Sequence, residues 1–397
     1  MTGTAIASIS VYHLQIPLKH RVEHAASVRT AADPVVVRIE LQNGDLGYGE
    51  SLPRPYVTGE DHDSVDTAVR DVFVPLLMDC RPQSFSEALV VIESLPLADD
   101  AGRQIPTARA TVELALLDVY SRCFERPIGL DVVNWLEVPE FGPPGCINHV
   151  RCSGVIATKD PQQAVSTLRK MRCYGLRNFK LKVGSEGQDD LLTAVTDMLG
   201  PAILKGRASL RLDANGAWSL DDAIEHLSRW SDLNISHIEQ PLARGDEQNL
   251  PNLKAHTQWQ IIHDESLATL KDAQRLFDLG VADCFNIRMG KCGGFIPSLK
   301  LVRFCRQNHI DYMLGCLVGQ TSILSAVERC FLSCVPGAAF VESNFGSFLL
   351  ADDIATPKLR FGYGGKLKPL TGFGWSITVD ESQLARYCED HPLRLNL

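Results

Sequence analysis

The sequence predicts an α/β protein with two parts, an N-terminal α+β module and a parallel, TIM-type (β/α)8 barrel. Three acidic residues indicate the barrel. Asp213, Glu239 and Asp264 each close a short apolar run, and they lie 26 and 25 residues apart. One strand, one helix and two loops occupy about that length in such a barrel. The second indication is the alternation of strand and helix patterns that begins after residue 145.

Residues 1–140 are expected to form the α+β module, because a run of strand patterns precedes a run of helical patterns. The strand patterns span residues 5–18 and 34–50, and the helical patterns span about 62–79, 84–94 and 106–124. The turn-rich stretch at 140–145 then separates this module from the barrel.

Residues 146–345 are expected to form the barrel. Its eight strand patterns lie at about 148–156, 177–183, 207–213, 235–239, 260–264, 283–288, 311–316 and 339–343. The clearest helical patterns between them lie at 219–232 and 321–334. A doubly wound sheet is the alternative, but no G-x-G-x-x-G motif follows a predicted strand. The last residues, 346–397, are expected to add a loop and a final strand that packs back on the N-terminal module.

Composition excludes several classes of protein. The 397 residues are too many for one small domain and suit a barrel with an extra module. The net charge of −9, without a basic stripe, argues against nucleic-acid binding. The twelve cysteines form no C-x-x-C pair, which is typical of a reduced, cytoplasmic chain. No signal-peptide pattern and no membrane-length apolar run is found, so no membrane association is expected.

The three acidic residues predict a metal site at one end of the barrel. Asp213, Glu239 and Asp264 would end three successive strands, at the face where such barrels carry their active sites. Carboxylate oxygens are the ligands that a hard cation such as Mg²⁺ prefers. Lys180 and Lys182 share one face of the preceding strand, because strand side chains alternate. An amine base beside this cluster is equipped to remove a proton next to a carboxylate, although two such lysines alone would more often be solvated.

Five ordered motifs, with a sixth stretch in the N-terminal module, resemble those of a known family. They are Lys180-Leu-Lys182, Leu212-Asp-Ala-Asn-Gly216, Ile238-Glu-Gln-Pro241, Asp264-Glu-Ser266 and Asn286–Gly294, with Gly47-Tyr-Gly-Glu50 before them. Together they resemble the enolase superfamily, in its muconate-lactonizing, mandelate racemase-like subgroup. The resemblance covers most of the chain.

This resemblance implies a capping N-terminal domain, a modified (β/α)7β barrel and a homo-oligomer. It implies one Mg²⁺, or alternatively Mn²⁺, on Asp213, Glu239 and Asp264. It also implies that Lys182 removes the proton α to the carboxylate of a small substrate, giving a metal-stabilised enolate. Lys180 is expected to lower the pKa of Lys182 by like-charge repulsion, and it could also bind a carboxylate oxygen of the substrate.

Two positions depart from the family pattern. The subgroup usually carries a second lysine on the sixth barrel strand, where this sequence has Arg288. An arginine stays protonated and cannot act as a base, but it can hold a carboxylate. Lys291 is a weak substitute, because it lies out of phase in the following loop. Gly319 stands where the family often carries an acidic residue, which alters the pocket wall.

With a single base available, we expect lyase or cycloisomerase chemistry in which Lys182 acts first as base and then as acid. One alternative is a racemase or epimerase of N-acyl amino acids or dipeptides, which needs a second base. Another is a non-catalytic, metal-binding relative. A His–Asp dyad of the mandelate-racemase kind is not expected, because the seventh strand ends without a histidine.

Contacts to the substrate are expected beside the metal ligands and from loops over the barrel mouth. The candidates are Asn215, His24, Arg29, Tyr56 and Gln320. For each of them, an ordinary turn or a solvated connection is at least as plausible. Basic residues in these loops hint at a second anionic group on the substrate.

Overall fold

The computed structural model describes residues 3–24, 27–137 and 146–397, and it describes side chains outside residues 22–28 and residue 146. It shows a curled parallel sheet and a separate antiparallel sheet at the N-terminal side, which confirms the predicted fold class. Among these residues, none of the helices combines the length and the apolar character needed to cross a membrane.

Four antiparallel strands form the sheet of the N-terminal module, and one of them comes from the far end of the chain. In spatial order they are β15 (Leu393–Asn396), β1 (Ile6–His13), β4 (Val35–Leu41) and β5 (Leu46–Ser51). A separate hairpin consists of β2 (Ile16–His24) and β3 (Ser27–Ala32). His24 and Arg29, expected in loops over the barrel mouth, therefore lie in strands β2 and β3. Three valines at 35–37 are fully buried and explain the stability of the central strand.

Helices cover this sheet on one side. They are α1 (His62–Ala68), α2 (Val74–Leu77), α3 (Phe85–Ser94), α4 (Pro106–Cys123) and α5 (Ile128–Trp135), with a π-helical turn between the first two. Helix α4 lies so close to β5 that a Cβ added at Gly49 would stand 2.0 Å from the carbonyl oxygen of Thr111. Helix α4 can therefore pack this closely on β5 only because position 49 is a glycine.

Seven consecutive parallel strands form the curled sheet of the barrel. They are β6 (Gly154–Ile156), β7 (Asn178–Lys182), β8 (Ser209–Asp213), β9 (His237–Glu239), β10 (Gln260–His263), β11 (Cys284–Ile287) and β12 (Asp311–Leu314). The helices between and after them are α6 (Pro161–Cys173), α7 (Gln188–Ile203), α8 (Leu220–Arg229), α9 (Leu250–Ala255), α10 (Leu270–Asp278), α11 (Phe295–Gln307) and α12 (Ser322–Cys334).

The eighth predicted strand, at 339–343, is not a full strand. Within it, only Val341 forms β-bridges, which are parallel and reach both edges of the sheet, at Leu314 and at Cys152, although neighbouring backbone groups also hydrogen-bond to β12. The nitrogen of Ser153 donates to Val341 at 2.8 Å, so this residue closes the ring. Directly after this segment the backbone turns at Asn344, which has a left-handed φ of +60°.

The segment after the barrel carries more structure than one strand. It contains α13 (Gly346–Leu349), the pair β13 (Ala355–Thr356) and β14 (Thr378–Val379), and α14 (Glu381–Tyr387) before β15. Strand β15 pairs with β1, and the buried Trp375 donates from its indole nitrogen to the carbonyl of Leu114 at 3.1 Å. These contacts join both ends of the chain to the N-terminal module.

Two buried glutamates of that module bind the first turns of barrel helices. Glu113 of α4 accepts from the nitrogen of Ile296 at 2.9 Å, in helix α11. Glu50 of β5 accepts from the nitrogens of Thr321 at 2.7 Å and Leu324 at 3.0 Å, at the start of α12. First-turn N–H groups have no partner within their helix, so these carboxylates satisfy them and dock the module on the barrel.

Candidate active site

Three carboxylates stand side by side at the C-terminal edge of the barrel sheet. Asp213 and Glu239 are the last residues of β8 and β9 and are opposite each other in the strand register. Asp264 directly follows β10. All three are at most 1% exposed. Their spacing in the sequence therefore places them as predicted, on the face where a parallel barrel binds its ligands.

Lys180 is the cation that two of these carboxylates, Asp213 and Glu239, share. Its Nζ lies 3.1 Å from Asp213 Oδ2 and 3.2 Å from Glu239 Oε2. A third carboxylate, Glu342, lies at 2.9 Å. Burial opposes the charge on Lys180, but the three carboxylates outweigh it and raise the pKa of its ammonium. Lys180 therefore stays protonated as a fixed positive charge on the cavity floor.

Lys182, two residues further along β7, has a different environment. Its Nζ donates to Asn215 Oδ1 at 2.9 Å. Its pKa is lowered, first by burial and then by the charges of Lys180 and Arg288, against an opposing effect of Asp213. Repulsion by Lys180 therefore contributes to the lowered pKa, as expected, but the loss of solvent on burial is the larger cause. Lys182 is the amine of this pair that is disposed to lose its proton.

Arg288 follows β11 and lies against two of the carboxylates. Its Nη2 atom contacts Asp264 Oδ2 closely and lies 3.6 Å from Glu239 Oε1. Although burial disfavours its charge, these carboxylates raise its pKa, so the guanidinium stays protonated. Lys291 points to the far side of Asp264, at 2.9 Å from Oδ1 and 3.1 Å from the carbonyl of Asn286. Lys291 is therefore held away from the cavity.

The donor set fits a hard divalent cation. Asp213 Oδ2, Asp264 Oδ2 and Glu265 Oε2 are buried oxygens that accept no well-aligned hydrogen bond, although the first two form ion pairs with Lys180 and Arg288. Within the described part of the chain, no three His, Cys, Asp or Glu side chains are already arranged as a metal-binding group. The reason is electrostatic, because Lys180 and Arg288 hold oxygens of all three carboxylates. Carboxylate chemistry and burial favour a cation here, which would have to displace Arg288 from Asp264.

Asn215 connects the base to a glutamate that the sequence analysis missed. Its amide nitrogen donates to Glu265 Oε1 at 3.2 Å, and its backbone φ is +47°. Asn215 is therefore a turn residue, and its side chain also lies beside the residues expected to bind the metal. Burial and the adjacent Asp264 raise the pKa of Glu265 to about 7. Glu265 directly follows Asp264 in its motif, and that position was the available signal.

Glu342 is the second missed residue. It accepts from Lys180 at 2.9 Å and is paired with Arg211, and both partners hold its pKa low, at about 2, against the effect of burial. It lies in the ring-closing segment next to Val341, which carries no motif. Only the closure of the barrel brings this residue beside β7.

These residues form the floor of a cavity of about 660 Å³ under the hairpin of β2 and β3. The floor includes Lys180, Lys182 and Arg288, and the mouth includes Arg29 and Tyr56. The volume is typical of a small-molecule site. A second, open depression of about 690 Å³ lies on the N-terminal module and contains none of these residues.

The predicted substrate contacts divide into three groups. Asn215, Arg29 and Tyr56 line the cavity. Gln320 does not line it, and its prediction is wrong: its amide nitrogen donates to the buried Glu328 at 2.8 Å, which satisfies it inside the protein. The side chain of His24 lies outside the described residues.

Comparison with known proteins identifies the matching family. The description "Enolase C-terminal domain-like" matches residues 163–383, and "Mandelate racemase / muconate lactonizing enzyme, N-terminal domain" matches residues 7–130. Together these two matches cover most of the chain.

Three similar proteins illustrate the range of activities. A hydrophobic dipeptide epimerase of Enterococcus faecalis is 27% identical over 321 residues, covering 80% of this chain and 84% of the relative. A chloromuconate cycloisomerase of Cupriavidus pinatubonensis is 26% identical over 388 residues, covering 96% and 98%. The crystal structure of an N-succinyl Arg/Lys racemase from Bacillus cereus has a TM-score of 0.84 at 22% identity, covering 99% and 100%, which shows the shared fold.

Proposed function

The chain belongs to the enolase superfamily, in its mandelate racemase and muconate lactonizing enzyme branch, and on this premise we propose that it removes the proton α to a carboxylate with Lys182 as the base. The observation that carries this proposal is the position of Lys182. Its amine lies at the cavity floor with a lowered pKa, beside three buried carboxylates and the fixed charge of Lys180.

Members of this superfamily generally use Mg²⁺, and we assign its site in this chain to Asp213, Glu239 and Asp264, with Mn²⁺ as an alternative. When bound, the metal would supply positive charge near the substrate carboxylate, where negative charge develops as the α-proton leaves. The buried oxygens of Asp213 and Asp264 support this assignment, because they accept no well-aligned hydrogen bond and already attract the positive charges of Lys180 and Arg288.

The side chains on the floor of the cavity have different roles in the proposed proton transfer. A proton next to a carboxylate anion is very weakly acidic, so the base must be neutral and well placed. Asn215 orients the amine of Lys182 by accepting its hydrogen bond at 2.9 Å. Lys180, kept charged by its carboxylates, adds positive charge where the substrate carboxylate would lie.

A single base favours a lyase or cycloisomerase. Arg288 stays charged and Lys291 is turned away, so neither can accept a proton from the second face of the reacting carbon. Among the described residues that line the cavity, the other amines are Lys180 and Lys170, the latter on helix α6. Lys182 would then return the proton on the face from which it took it.

The second candidate is a racemase or epimerase, which the relatives favour at least as strongly. The dipeptide epimerase and the N-succinyl Arg/Lys racemase are named for such reactions, beside the cycloisomerase. An epimerase would need a proton carrier on the face of Arg288. A non-catalytic relative is the least supported reading, because both lysines and all three carboxylates are in place.

The stereochemistry of proton exchange separates these candidates. The protein is incubated in D2O with Mg²⁺ and a pool of N-acyl amino acids, dipeptides, hydroxy acids and muconate-like diacids. Deuterium that enters with retained configuration, or with elimination or ring closure, supports a single base. Deuterium that enters with scrambled configuration supports the epimerase and excludes the one-base proposal.

A further inference from the structure

One wall of the cavity is built from four aromatic rings. Tyr174, Phe345, Phe348 and Phe361 all line the cavity. The ring of Phe361 lies 4.8 Å from Phe348, 5.2 Å from Phe345 and 6.1 Å from Tyr174, measured between centroids. We name these four residues the aromatic wall. They come from the end of α6 and from the segment after the barrel, so sequence patterns did not connect them.

The aromatic wall offers apolar surface to a ligand. Phe361 is buried, but the other three rings are only partly covered by protein. The hydroxyl of Tyr174 donates to the carbonyl of Phe361 at 3.2 Å, so the polar atom of this ring is already used. Apolar surface left uncovered inside a cavity is stabilised by apolar ligand atoms.

Short contacts with the hairpin hold the wall in place. The nitrogen of Ala351 donates to the carbonyl of Pro17 at 2.8 Å, just after α13. Lys19 Nζ donates to the carbonyl of Ser347 at 2.6 Å. Helix α13, which carries Phe348, is thus fixed between the hairpin and the barrel. The wall is a preformed surface, so an apolar group can bind without an ordering cost.

For the side chains that the structure describes, the negative charge that lines the cavity lies on its floor. Among the described lining residues, the carboxylates are Asp213, Glu265 and Glu342. Asp213 and Glu342 are paired with Lys180, and Glu265 accepts from Asn215. None of these carboxylates belongs to the aromatic wall or to the mouth.

Among the described side chains at the mouth of the cavity, Arg29 and Arg54 outnumber the one carboxylate that they contact. Arg29 binds both oxygens of Asp33, at 2.8 and 2.7 Å, and Arg54 binds the same carboxylate at 2.9 Å. Two guanidinium groups thus share one carboxylate. A substrate ammonium group beside them would face two cations whose shared carboxylate is already engaged, so it would be repelled.

We infer that the substrate is a carboxylate whose other end is apolar and carries no ammonium group. This inference rests on the proposed function, because it places the reacting carboxylate at the floor. It favours acids with an acyl, aryl or other uncharged apolar arm over dipeptides with a free α-ammonium group.

Matched compounds test the inference by binding as well as by exchange. L-Phe-L-Ala and N-acetyl-L-Phe-L-Ala differ in the ammonium charge, and N-acetyl-L-alanine and N-benzoyl-L-alanine differ in the apolar arm. Calorimetric titration with Mg²⁺ present should give about tenfold tighter binding for the acetylated dipeptide and for the benzoyl compound. α-Deuteration is followed on the same samples.

Variants test whether the aromatic wall causes the preference for the benzoyl compound over N-acetyl-L-alanine. Phe348→Ala should remove most of the preference for N-benzoyl-L-alanine, whereas Phe348→Leu should keep it. Phe373→Ala, at a ring 42% exposed that does not line the cavity, is the matched control and should change nothing.

The outcomes for the inference and for the proposed function are distinguishable. If L-Phe-L-Ala binds as tightly as its acetylated form, or if none of the compounds binds at millimolar concentration, the substrate inference is wrong. If the predicted binding order is found without any α-deuteration, the inference holds and the proposed reaction is contradicted.

Discussion

Two lysines on one strand have opposite electrostatic environments. Lys180 is surrounded by three carboxylates, whereas Lys182 has an amide partner in Asn215 at 2.9 Å. The first is therefore held charged and the second is disposed to be neutral, although they lie two residues apart. This difference is what allows one lysine to act as a base beside another that acts as a fixed cation.

The pH dependence of the reaction should show one titrating base. Protonated Lys182 cannot accept a proton, so kcat/KM should rise with pH and then level off. The apparent pKa should lie below the ordinary lysine value of 10.5, because burial and the neighbouring cations lower it. Since Arg288 does not titrate in this range, no falling limb is expected from it. A bell-shaped kcat/KM profile would instead indicate a second essential group.

Restoring a lysine at position 288 should change the stereochemistry. In Arg288→Lys, an amine that can exchange its proton would occupy the second face, so deuterium should enter with partial loss of configuration. Arg288→Gln is the control, in which exchange should keep its configuration and KM should rise about tenfold or more through loss of the charged contact. Mass spectrometry measures the deuterium that enters, and chiral chromatography measures the configuration of the product. Identical stereochemistry in Arg288→Lys and the wild type would argue that this face is not used.

Single positions in the site differ in how far the sequence could predict them. Strand ends and their spacing located Asp213, Glu239 and Asp264, because parallel strands bring equivalent ends together. Gln320 could not be placed, because whether its amide faces the cavity or Glu328 depends on the packing of α12. The order of the causes that lower the pKa of Lys182 likewise depends on how deeply its amine is buried, which the sequence does not show.

Among the secondary-structure elements, helix α4 and strand β5 depend on close packing. A Cβ at Gly49 would lie 2.0 Å from the carbonyl of Thr111, and one at Gly47 would lie 2.4 Å from that of Ala115. Such distances leave no room for any side chain, so the elements would have to separate.

Gly49→Ala should therefore destabilise the protein by about 1–3 kcal/mol, or more if the helix cannot shift. Gly200→Ala is the matched control, because an added Cβ there meets nothing within 4 Å inside helix α7. The control should be neutral or stabilising by up to about 1 kcal/mol. Urea unfolding of both variants measures the difference. Equal midpoints for the two variants would contradict the packing account.

The elements themselves were largely predictable, with one instructive exception. The helices at 84–94 and 106–124 are found nearly as expected, as α3 and α4. The segment 339–343 has a strand-like pattern but forms β-bridges only at Val341, with a few further backbone hydrogen bonds to β12, before the chain turns at Asn344. The local sequence pattern cannot show how many residues of a segment pair with neighbouring strands where the barrel closes.

Across the whole molecule, the N-terminal module and the barrel are joined by buried polar contacts. Glu50 and Glu113 bind backbone nitrogens of barrel helices, and the hairpin of β2 and β3 covers the cavity. Burial raises the pKa of Glu50 to about 7 and that of Glu328 to about 8, above the ordinary value of 4.5. A homo-oligomer, implied by the family resemblance, stays a prediction.

These raised pKa values predict a loss of stability at alkaline pH. Above pH 4.5 the unfolded carboxyl groups are ionised, whereas the folded ones keep their protons until about pH 7 to 8. The folded state therefore binds more protons, and its stability should fall as pH rises from about 5 to 9. The midpoint of thermal unfolding, measured at several pH values, follows this loss of stability. Glu328→Gln should make the midpoint depend less on pH, and the exposed Glu186→Gln should not. A midpoint that rises over this range would contradict the assignment.

The most direct test of the central claim compares Lys182→Ala with Lys205→Ala, the second at an exposed lysine. α-Proton exchange in D2O is measured on whichever carboxylate the wild type exchanges, and Mg²⁺ binding is measured in parallel by calorimetry. The account predicts that Lys182→Ala loses exchange by about a thousandfold or more while Mg²⁺ binding stays largely intact. Lys205→Ala should match the wild type. Exchange that persists in Lys182→Ala would contradict the claim that Lys182 is the base.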